Sequence, residues 1–334
     1  MGATKRGIKM GQIKIGWVGR YFPDKNTLFG GKAYEKQLLN FLMKNYDVEE
    51  VYPHSNRSNE MLRWIEEIYK LSRLKLEKNL FIRDFYSSAV IGRTDGLNLS
   101  IIHHIDTIDK EHPFLNKLLE KRFYKNLDRI DIVVTVSNFW KRHFEEKGHQ
   151  NVKVIYNGFD LKEFEIGEEE VENFKKKYGL EGKPIIYLGN ARPGKGVAEA
   201  YQELKNRDAY LVTSGEERVK TPAINLNLNH REYLTLLKAS SVVIAVSKFK
   251  EGWNRTVHEA MLCKTPVVGS GKGGMRELLE GEKQIICEDI SKLNDLVDTA
   301  MENREELGEK GYNFAKEFTI ERFEKEWGKL LEEI

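Results

Sequence analysis

The chain has 334 residues, of which 40% are hydrophobic and 32% are charged, and its formal net charge is +2. The length exceeds what one hydrophobic core usually supports, so we expect two domains, and the small net charge gives no reason to expect a nucleic-acid partner. Cys263 and Cys287 form neither a C-x-x-C motif nor a disulfide framework, which favours a reducing compartment. No apolar run approaches the roughly 20 residues of a membrane span, and the first residues lack the apolar stretch of a secretory signal. We therefore expect a cytoplasmic protein.

The first half of the chain alternates strand-like and helix-like segments. The apolar run IKIGWVG (13–19) predicts a strand, and FGGKAYEKQLLNFLMKN (29–45) predicts a helix that begins with two glycines. The segments VEEVYPH, NLSIIHHI and IDIVVTVS predict further strands, FWKRHFEEKG predicts a helix that ends at Gly148, and VKVIYNG predicts the last strand. Such alternation indicates a parallel sheet covered by helices on both faces.

The stretch NEMLRWIEEIYKLSRLKLEKNLFIRDFY (59–86) is amphipathic and contains several Lys and Arg residues. One interpretation is a helix of the first domain whose charged face is solvated. The other is contact with an acidic membrane surface or an acidic acceptor. The sequence leaves both interpretations open.

A second α/β half follows a polar segment that begins near residue 160. The alternation restarts with PIIYLGN, AYLVTSG, SVVIAVS and TPVVGSG, and the last residues predict a helical end with apolar positions at helical spacing. We predict an N-terminal domain at 11–165, a C-terminal domain at 166–315, and a helix at 316–334 that packs on the N-terminal domain, since an amphipathic tail needs a surface to bury its apolar stripe.

The segment GNARPGKG (189–196) lies between the strand-like run PIIYL and a helix-like segment. Gly189, Gly194 and Lys195 match the phosphate-binding P-loop pattern G-x-x-x-x-G-K-[ST]. Gly196, however, stands where that pattern has the hydroxyl that holds magnesium, and no strand ends in the Asp that such enzymes use for the metal. The segment is therefore an altered P-loop, a phosphate site of another kind, or an ordinary loop.

The segment EGWNRTVHEAMLCKTPVVGSGKGGMREL (251–278) carries two glutamates, Glu251 and Glu259, on either side of a helix start. With the first in a loop and the second two turns into the helix, both carboxylates can point toward one cleft. Carboxylates accept hydrogen bonds from vicinal hydroxyls, as found on ribose or on a sugar ring. The alternative is a pair of solvated surface acids.

This segment resembles the E-x7-E signature region of the GT-B glycosyltransferases of family 4, which usually reads E-G-F-G-x-x-x-x-E-A-M-A-C-G-T-P-V-V. FGGKAYEKQLLNFL resembles the family's glycine-glycine turn, IIHHID its strand-end histidine, VVTVSNFWKRHF its v-S-x-x-x-k segment, and VIYNGFD its V-I-P-N-G-V-D segment. The resemblance covers nearly the whole chain. It implies two Rossmann-like α/β/α domains that face each other across a cleft, with a C-terminal helix that crosses back to the N-terminal domain.

The loop GNARPGKG resembles the family's V-G-R-L-x-x-x-K-G loop, which places Lys195 on the lysine that binds the donor diphosphate. Asn190 occupies the usual arginine position, so the resemblance leaves open whether Arg192 or Arg255 replaces that arginine. Asn254 stands where the family has its second glycine. Two cations and backbone amides near a leaving phosphate would stabilise its developing charge.

The resemblance also implies roles for the two glutamates and for the first domain. Glu251 would lie against the donor sugar and Glu259 would bind the ribose hydroxyls. Gly30 and Gly31 would let backbone amides approach the diphosphate, and His103 would hydrogen-bond the sugar near the reacting carbon. The implied catalytic residues are His103, Glu251 and Lys195, and the implied donor-binding residues are Gly30, Gly31, His104, Gly189, Asn190, Arg192, Trp253, Asn254, Arg255 and Glu259.

Family 4 enzymes retain the anomeric configuration, so the resemblance implies a retaining transfer from a UDP- or GDP-linked sugar to an acceptor hydroxyl. The acceptor would be a lipid carrier, a growing glycan or a small metabolite, and peripheral membrane contact at the cytoplasmic face is a further expectation. The chain contains no Asp-x-Asp pair, which is consistent with a site that needs neither a metal nor another cofactor. The competing hypotheses are a P-loop NTPase or phosphotransferase and a non-catalytic nucleotide-sugar-binding protein.

Overall fold

The structure is a computed structural model, and it describes residues 13–19, 31–76, 78–105, 113–281 and 283–334. These residues form two compact units. The first contains the described residues up to Val136 together with Lys141–Ile155 and Glu321–Ile334, and the second contains Ser137–Trp140 and Tyr156–Ile320. Each unit is built on its own six-stranded parallel sheet, which confirms the predicted α/β class.

The passage into the second unit at Tyr156 differs from the predicted boundary between residues 165 and 166. The polar composition of the segment that begins near residue 160 suggested a linker. However, Phe164 and Ile166 within it are buried, so the segment already belongs to a core.

The first unit contains eight strands within the described residues. They are Lys14–Val18 (β1), Asp47–Glu50 (β2), Lys75–Leu76 (β3), Leu80–Arg83 (β4), Arg93–Thr94 (β5), Leu97–Ile102 (β6), Ile132–Thr135 (β7) and Val152–Val154 (β8). The main sheet has the order β2-β1-β4-β6-β7-β8, and β3 and β5 form a separate parallel pair. Strands β4 and β7 are buried along their full length, as expected for a parallel sheet that is covered on both faces.

The helices of this part of the chain surround the first sheet. They are Gly31–Asn45 (α1), Glu60–Arg73 (α2), Phe85–Ala89 (α3), Pro113–Lys125 (α4) and Asn138–Glu146 (α5), of which α5 begins in the second unit. The interpretation of 59–86 as one amphipathic helix is wrong beyond Arg73. The short run LFIR in this stretch is the buried strand β4, and a short apolar run does not distinguish a strand from a buried helix.

The strands of the second unit form a sheet in the order β11-β10-β9-β12-β13-β14. Their bounds are Ile185–Asn190 (β9), Tyr210–Ser214 (β10), Ile224–Leu226 (β11), Val242–Ala245 (β12), Val267–Gly269 (β13) and Ile285–Ile286 (β14). The first strand, β9, lies in the middle, and the chain builds outward from it on one side before it returns to the other side at β12. In such sheets the point where the direction reverses leaves a crevice at the carboxyl ends of the two central strands, and ligands bind there.

The helices of the second unit have clear sequence signals at their ends. They are Glu168–Tyr178 (α6), Val197–Leu204 (α7), His230–Ala239 (α8), Arg255–Leu262 (α9), Gly274–Gly281 (α10), Leu293–Glu302 (α11) and Arg304–Ala315 (α12). Helix α6 has three glutamates in its first turn and three lysines in its last, which complements the helix dipole, and it ends at Gly179 in the left-handed conformation. Asn229 and Glu232 form a reciprocal capping box at the start of α8.

The helical end of the chain is interrupted rather than continuous. Helix α12 ends at Ala315, and the last helix, Ile320–Glu332 (α13), supplies the residues that complete the first unit. There Trp327 is fully buried, its Nε1 lies 3.2 Å from the hydroxyl oxygen of Tyr34, and the Tyr34 hydroxyl donates to the carbonyl oxygen of Ile155 at 3.1 Å. Phe323 meets the ring of Tyr34 edge-on, with the two centroids 5.0 Å apart. The core of the first unit therefore contains residues from both ends of the chain.

Candidate functional site

Two loops meet at the crevice of the second sheet. Strand β9 leads into the loop that carries Lys195, and strand β12 leads into the loop that carries Glu251. Because β9 and β12 are parallel neighbours, their carboxyl ends lie side by side, and the two loops are close in space although 56 residues separate the two side chains in sequence. The sheet order thus unites two residues that the sequence presents in separate motifs.

Lys195 and Glu251 form an ion pair. Lys195 Nζ donates to Glu251 Oε1 at 2.7 Å, and the same ammonium lies 5.1 Å from the centroid of the Phe249 ring. The Glu251 side chain is 6% exposed and the Lys195 side chain is 27% exposed. A carboxylate this buried needs compensating donors, and Lys195 is one of them.

Further contacts fix Glu251 in place. Ser247 Oγ donates to Glu251 Oε1 at 2.5 Å, and Asn254 Nδ2 donates to the same oxygen at 3.3 Å. The backbone oxygen of Glu251 accepts from the Trp140 indole N–H and from the Gly274 N–H, both at 2.9 Å. The carboxylate of Glu251 is therefore held by Lys195 and by its own loop, and its backbone is held by Trp140 and Gly274.

The loop after β9 depends on glycine at two positions. Gly189 and Gly196 have positive φ angles of 97° and 72°. A Cβ on Gly196 would lie 2.3 Å from the carbonyl oxygen of Val246, a distance that real contacts do not show. The hydroxyl residue of a P-loop has no room at position 196, so this loop is not a P-loop with one altered residue.

Asn190 ends β9 and faces two hydroxyl groups. Its Oδ1 accepts from Ser214 Oγ at 3.1 Å and from the Tyr187 hydroxyl at 3.3 Å, and these two hydroxyls are themselves 2.7 Å apart. This oxygen is engaged, whereas among the residues that the structure describes no acceptor bonds to Asn190 Nδ2, so its N–H donors can meet another partner. Burial raises the pKa of the Tyr187 hydroxyl, so this hydroxyl remains protonated.

Arg192 and Arg255, the two predicted alternatives for the missing arginine, have different surroundings. Arg192 is exposed, and within the described part of the chain its guanidinium makes no hydrogen bond or ion pair. Arg255 is engaged: its Nη2 lies 3.3 Å from Glu259 Oε1, its Nη1 donates to Asn157 Oδ1 at 3.3 Å, and its guanidinium carbon lies 4.4 Å from the centroid of the Phe159 ring.

Glu259, the second glutamate, lies on α9 and is 6% exposed. Its Oε2 accepts from the Tyr233 hydroxyl at 3.0 Å, in addition to the Arg255 contact. Burial, followed by the charge of Glu259, raises the pKa of the Tyr233 hydroxyl well above its ordinary value. Tyr233 thus acts as a hydrogen-bond donor that orients Glu259.

Asn254 and Trp253 precede α9 and have different roles from each other. Asn254 adopts a left-handed conformation with φ 72°, as a glycine would, and its Oδ1 caps the helix by accepting from the Val257 N–H at 3.2 Å. The Trp253 indole is buried, and its N–H donates to His258 Nδ1 at 2.9 Å. Trp253 is a core side chain, so only its backbone is placed to meet the donor-binding role predicted for it.

His258 completes this buried cluster. Its Nδ1 accepts from Trp253, so its Nε2 carries the proton and donates to the carbonyl oxygen of Ala315 at 3.0 Å. The imidazole stacks on Phe159 with the centroids 4.1 Å apart. Burial lowers the pKa of His258 to about 3, so the ring is neutral at physiological pH.

Among the residues predicted in the first unit, Gly30 lies outside the described residues. Gly31 is the first residue of α1, and His103 and the half-buried His104 follow β6. The ring of His103 meets Tyr34 edge-on, with the centroids 5.0 Å apart, and its Nε2 lies 3.6 Å from Glu35 Oε1. Within the described chain this buried nitrogen has no hydrogen-bond partner, which is the state expected of an atom that meets a ligand.

Sequence reasoning missed the residues that hold the predicted ones. Ser247, Tyr187, Ser214 and Tyr233 orient the site, but no motif marks a single hydroxyl whose partner depends on the fold. Glu277, which stands in the segment that resembles the family's G-G-x-x-E turn, accepts from the backbone and side-chain nitrogens of Asn138 at 2.8 and 2.7 Å and from the hydroxyl of Tyr156. In the described ranges, no group of three or more His, Cys, Asp or Glu residues is arranged to hold a metal ion.

Comparison with known families gives a match over residues 169–317 to the family described as Glycosyl transferases group 1. A relative named as an uncharacterized glycosyltransferase of Methanocaldococcus jannaschii is 25% identical over 80% of this chain and 81% of its own. The N-acetyl-alpha-D-glucosaminyl L-malate synthase of Bacillus anthracis is 26% identical over 68% of this chain and 64% of its own. For a Bacillus subtilis relative named as a glycosyltransferase, YtcC, the match is 26% identical and spans 47% of each chain.

Solved structures give the fold. A sucrose-phosphate synthase from Thermosynechococcus elongatus superposes with a TM-score of 0.77 at 15% identity, over 96% of this chain and 99% of that chain. The Anabaena protein HepE, in complex with UDP-glucose, superposes with a TM-score of 0.73 at 17% identity, over 96% of this chain and all of its own. These neighbours have the two-domain GT-B architecture that the signature region implies.

Proposed function

We propose a glycosyltransferase reaction for this chain, because residues 169–317 match the group 1 glycosyltransferases and the fold is that of the GT-B neighbours. It is the transfer of a sugar from a nucleoside-diphosphate sugar to an acceptor hydroxyl, with retention of the anomeric configuration and without a metal ion. UDP is the preferred nucleotide in this proposal, because HepE, a structural neighbour, is solved with UDP and with UDP-glucose.

The observation that carries the proposal is the meeting of Lys195 and Glu251 at the crevice of the second sheet, 2.7 Å apart. A donor of this class presents a diphosphate next to a sugar, so it needs a cation and a hydroxyl acceptor that are neighbours. Glu259 lies on the helix that follows the same loop, and a carboxylate there suits the vicinal hydroxyls of ribose.

The chemistry follows from these positions. The bond between the anomeric carbon and the diphosphate oxygen breaks, a bond from the acceptor oxygen to that carbon forms on the same face, and the acceptor proton passes to the departing phosphate. Lys195 and the donors beside it stabilise the charge that develops on that phosphate. Glu251 holds the sugar hydroxyls.

The experiment is a transfer and hydrolysis assay with UDP-linked and GDP-linked sugars, chosen by a thermal-shift screen of UDP, GDP and ADP with their sugar conjugates. We expect nucleoside diphosphate release that persists in EDTA, and we expect Glu251→Gln to remove it. Glu169→Gln, in the exposed first turn of α6, is the matched control with the same change of charge.

The two competing functions give different results in this assay. A P-loop NTPase or phosphotransferase would release phosphate from a nucleoside triphosphate, and EDTA would stop it. A non-catalytic nucleotide-sugar-binding protein would show a thermal shift with the sugar conjugate but no product at any enzyme concentration. Either outcome would contradict the proposed transfer.

We also propose that α2 contacts an anionic lipid surface. Its exposed face carries four large apolar side chains that are each about half exposed, namely Met61, Leu62, Ile65 and Tyr69. Of its acids, Glu66 is bound by Arg57 and Lys70, and buried Glu67 accepts from the Tyr52 hydroxyl. Lys70 pairs with Glu66, whereas Arg73 at the end of α2 lies over the Tyr69 ring, with its guanidinium carbon 4.3 Å from the ring centroid. An apolar face edged with such a cation suits an anionic membrane. In the described ranges no helix is long and apolar enough to cross a membrane.

Co-sedimentation with vesicles tests this contact. We expect the chain to bind phosphatidylcholine vesicles that contain phosphatidylglycerol, and the substitution Ile65→Gln together with Leu62→Gln to weaken binding. Met43→Gln removes an equally exposed apolar side chain from α1 and serves as the control. Equal recovery of the chain with and without the anionic lipid would contradict the contact. Binding would also favour a lipid carrier as the acceptor.

A further inference from the structure

The ion pair between Lys195 and Glu251 joins two residues that the proposed function assigns to different parts of the donor. Lys195 is assigned to the diphosphate and Glu251 to the sugar, yet Lys195 Nζ donates directly to Glu251 Oε1. The pair is part-buried, with the Glu251 side chain 6% exposed and the Lys195 side chain 27% exposed. Lys195 and Glu251 are therefore already bound to each other when a donor arrives.

A diphosphate is a stronger partner for Lys195 than Glu251 is, because it carries more negative charge on more acceptor oxygens. When the ammonium turns to it, Glu251 loses one of its donors while it stays buried. Ser247 and Asn254 still donate to Glu251 Oε1, but neither carries a charge. A buried carboxylate that loses its cation costs free energy unless other donors replace it.

We propose that Lys195 and Glu251 form an exchangeable ion pair, in which the donor diphosphate takes Lys195 away from Glu251 and the hydroxyls of the donor sugar replace Lys195 on Glu251. This proposal rests on the proposed function. It predicts that the complete donor satisfies both residues, whereas a nucleoside diphosphate alone takes Lys195 and provides no sugar hydroxyls to replace it on Glu251. The site therefore favours the sugar donor over the released nucleoside diphosphate, and the pair assists product release.

The loop geometry supports the exchange. Glu251 is anchored through its backbone by Trp140 and Gly274, so the carboxylate stays in place when its partner changes. Lys195 is the more exposed member, and its ammonium rests near the Phe249 ring, which can stabilise a cation without holding it in one position. The lysine is thus the member that moves.

The test is calorimetric binding of UDP or GDP, whichever gives the larger thermal shift, and of its sugar conjugate. We expect Glu251→Gln to bind the nucleoside diphosphate about three- to tenfold more tightly than the natural chain, because Lys195 is no longer held. The same variant should bind the sugar conjugate no more tightly than the natural chain. The preference for the conjugate over the diphosphate should therefore fall.

A double-mutant cycle separates partner exchange from simple repulsion between a carboxylate and a diphosphate. In the Lys195→Ala background, Glu251→Gln should leave the affinity for the nucleoside diphosphate unchanged if its effect passes through Lys195. A gain of the same size in both backgrounds would instead indicate repulsion and overturn the proposal. Glu199→Gln is the matched control, because Glu199 lies one helical turn beyond Lys195 but pairs with Lys248.

Two further outcomes are decisive. Weaker or unchanged binding of the nucleoside diphosphate by Glu251→Gln would overturn the exchange, while the proposed function would stand if Lys195→Ala still weakens that binding. If the natural chain binds neither nucleotide nor conjugate, the proposed function itself fails. Glu251→Asp, whose shorter carboxylate draws back from Lys195, should show a smaller gain of the same sign and provides the second variant if Glu251→Gln unfolds at a lower temperature.

Discussion

Arg192 and Arg255 differ in whether their surroundings leave the guanidinium able to bind a ligand. The guanidinium of Arg255 contacts Glu259, Asn157 and the Phe159 ring, so its positive charge already interacts with groups of the protein. Arg192 follows Asn190 in the loop after β9, is exposed, and makes no ion pair with the described residues. We therefore expect Arg192 to act as the second cation beside Lys195.

The first prediction concerns this choice. Arg192→Ala should weaken binding of the nucleoside diphosphate about tenfold, because it removes one charge-assisted contact at an exposed position. Arg255→Ala should leave the contribution of the diphosphate to binding unchanged. It should weaken binding of the nucleoside, because Arg255 pairs with Glu259. Calorimetry with UDP and with uridine separates the two effects, and Arg218→Ala, whose arginine pairs with exposed Glu216, is the control. A larger loss of diphosphate binding in Arg255→Ala would reverse the assignment.

The second prediction concerns pH and follows from His258. Its pKa drops from the ordinary value of 6.5 to about 3 in the folded chain. Between these values the unfolded chain binds the proton and the folded chain does not, so the free energy of unfolding decreases as the pH falls. Between pH 7 and pH 5, the titration of His258 should lower the free energy of unfolding by about 2 kcal/mol.

Urea unfolding at the two pH values checks this contribution. His258→Gln should lose most of the pH dependence, even if it is less stable at pH 7, whereas His54→Gln, at a half-exposed histidine, should keep it. An equal slope in the two variants would show that His258 is not the titrating group.

Single residues also show the limit of sequence reasoning about the site. Lys195, Glu251 and Glu259 stand in motifs with recognisable spacing, so their proximity to a common crevice could be predicted. The pairing of Lys195 with Glu251 could not, because it depends on the order of β9 and β12 in the sheet. Ser247, which donates to the same carboxylate, has no signal in the sequence at all.

At the scale of elements, the loop after β9 shows why a motif is best judged by its backbone. Gly196 is the position that separates this loop from a P-loop in the sequence, and in the structure it is the residue with no room for a side chain. Most strands and helices were predictable from apolar runs and caps. Strand β4 was hidden inside an amphipathic stretch because four apolar and basic letters fit either periodicity.

The third prediction tests this glycine. Gly196→Ala should lower the free energy of unfolding by more than about 1 kcal/mol and weaken nucleotide binding, since it adds a clash with Val246 to an unfavourable φ. Gly182→Ala is the matched control, because Gly182 also has a positive φ of 82° but a Cβ there meets nothing within 4 Å. Similar costs for the two variants would show that the clash is relieved by a small loop movement.

At the scale of the whole molecule, each unit is assembled from separate stretches of chain. The chain passes between units after Val136, after Trp140, after Ile155 and after Ile320. The alternation of strands and helices was enough to predict two α/β units. The assignment of residues 137–140 to the second unit was not predictable, because residues 138–140 begin a helix, α5, whose remaining residues belong to the first unit and whose sequence pattern has no break.

The fourth prediction concerns the first unit as a separate protein. A fragment that ends at Ile155 lacks Trp327 and Phe323, so it exposes the apolar surroundings of Tyr34. It should bind a hydrophobic dye and unfold without a cooperative transition. The same fragment joined by a flexible linker to 321–334 should bind less dye and melt cooperatively. Equal dye binding by the two fragments would mean that α13 is dispensable to this core.

The burial of Tyr34 against Trp327 also has a consequence for synthesis on the ribosome. Tyr34 is made 293 residues before Trp327, so the first unit cannot complete its core until α13 has left the exit tunnel. The second unit, which ends at Ile320, can close earlier. Multidomain chains commonly fold from the amino terminus during synthesis. In this chain the amino-terminal unit should be the last to become resistant to protease on a stalled nascent chain.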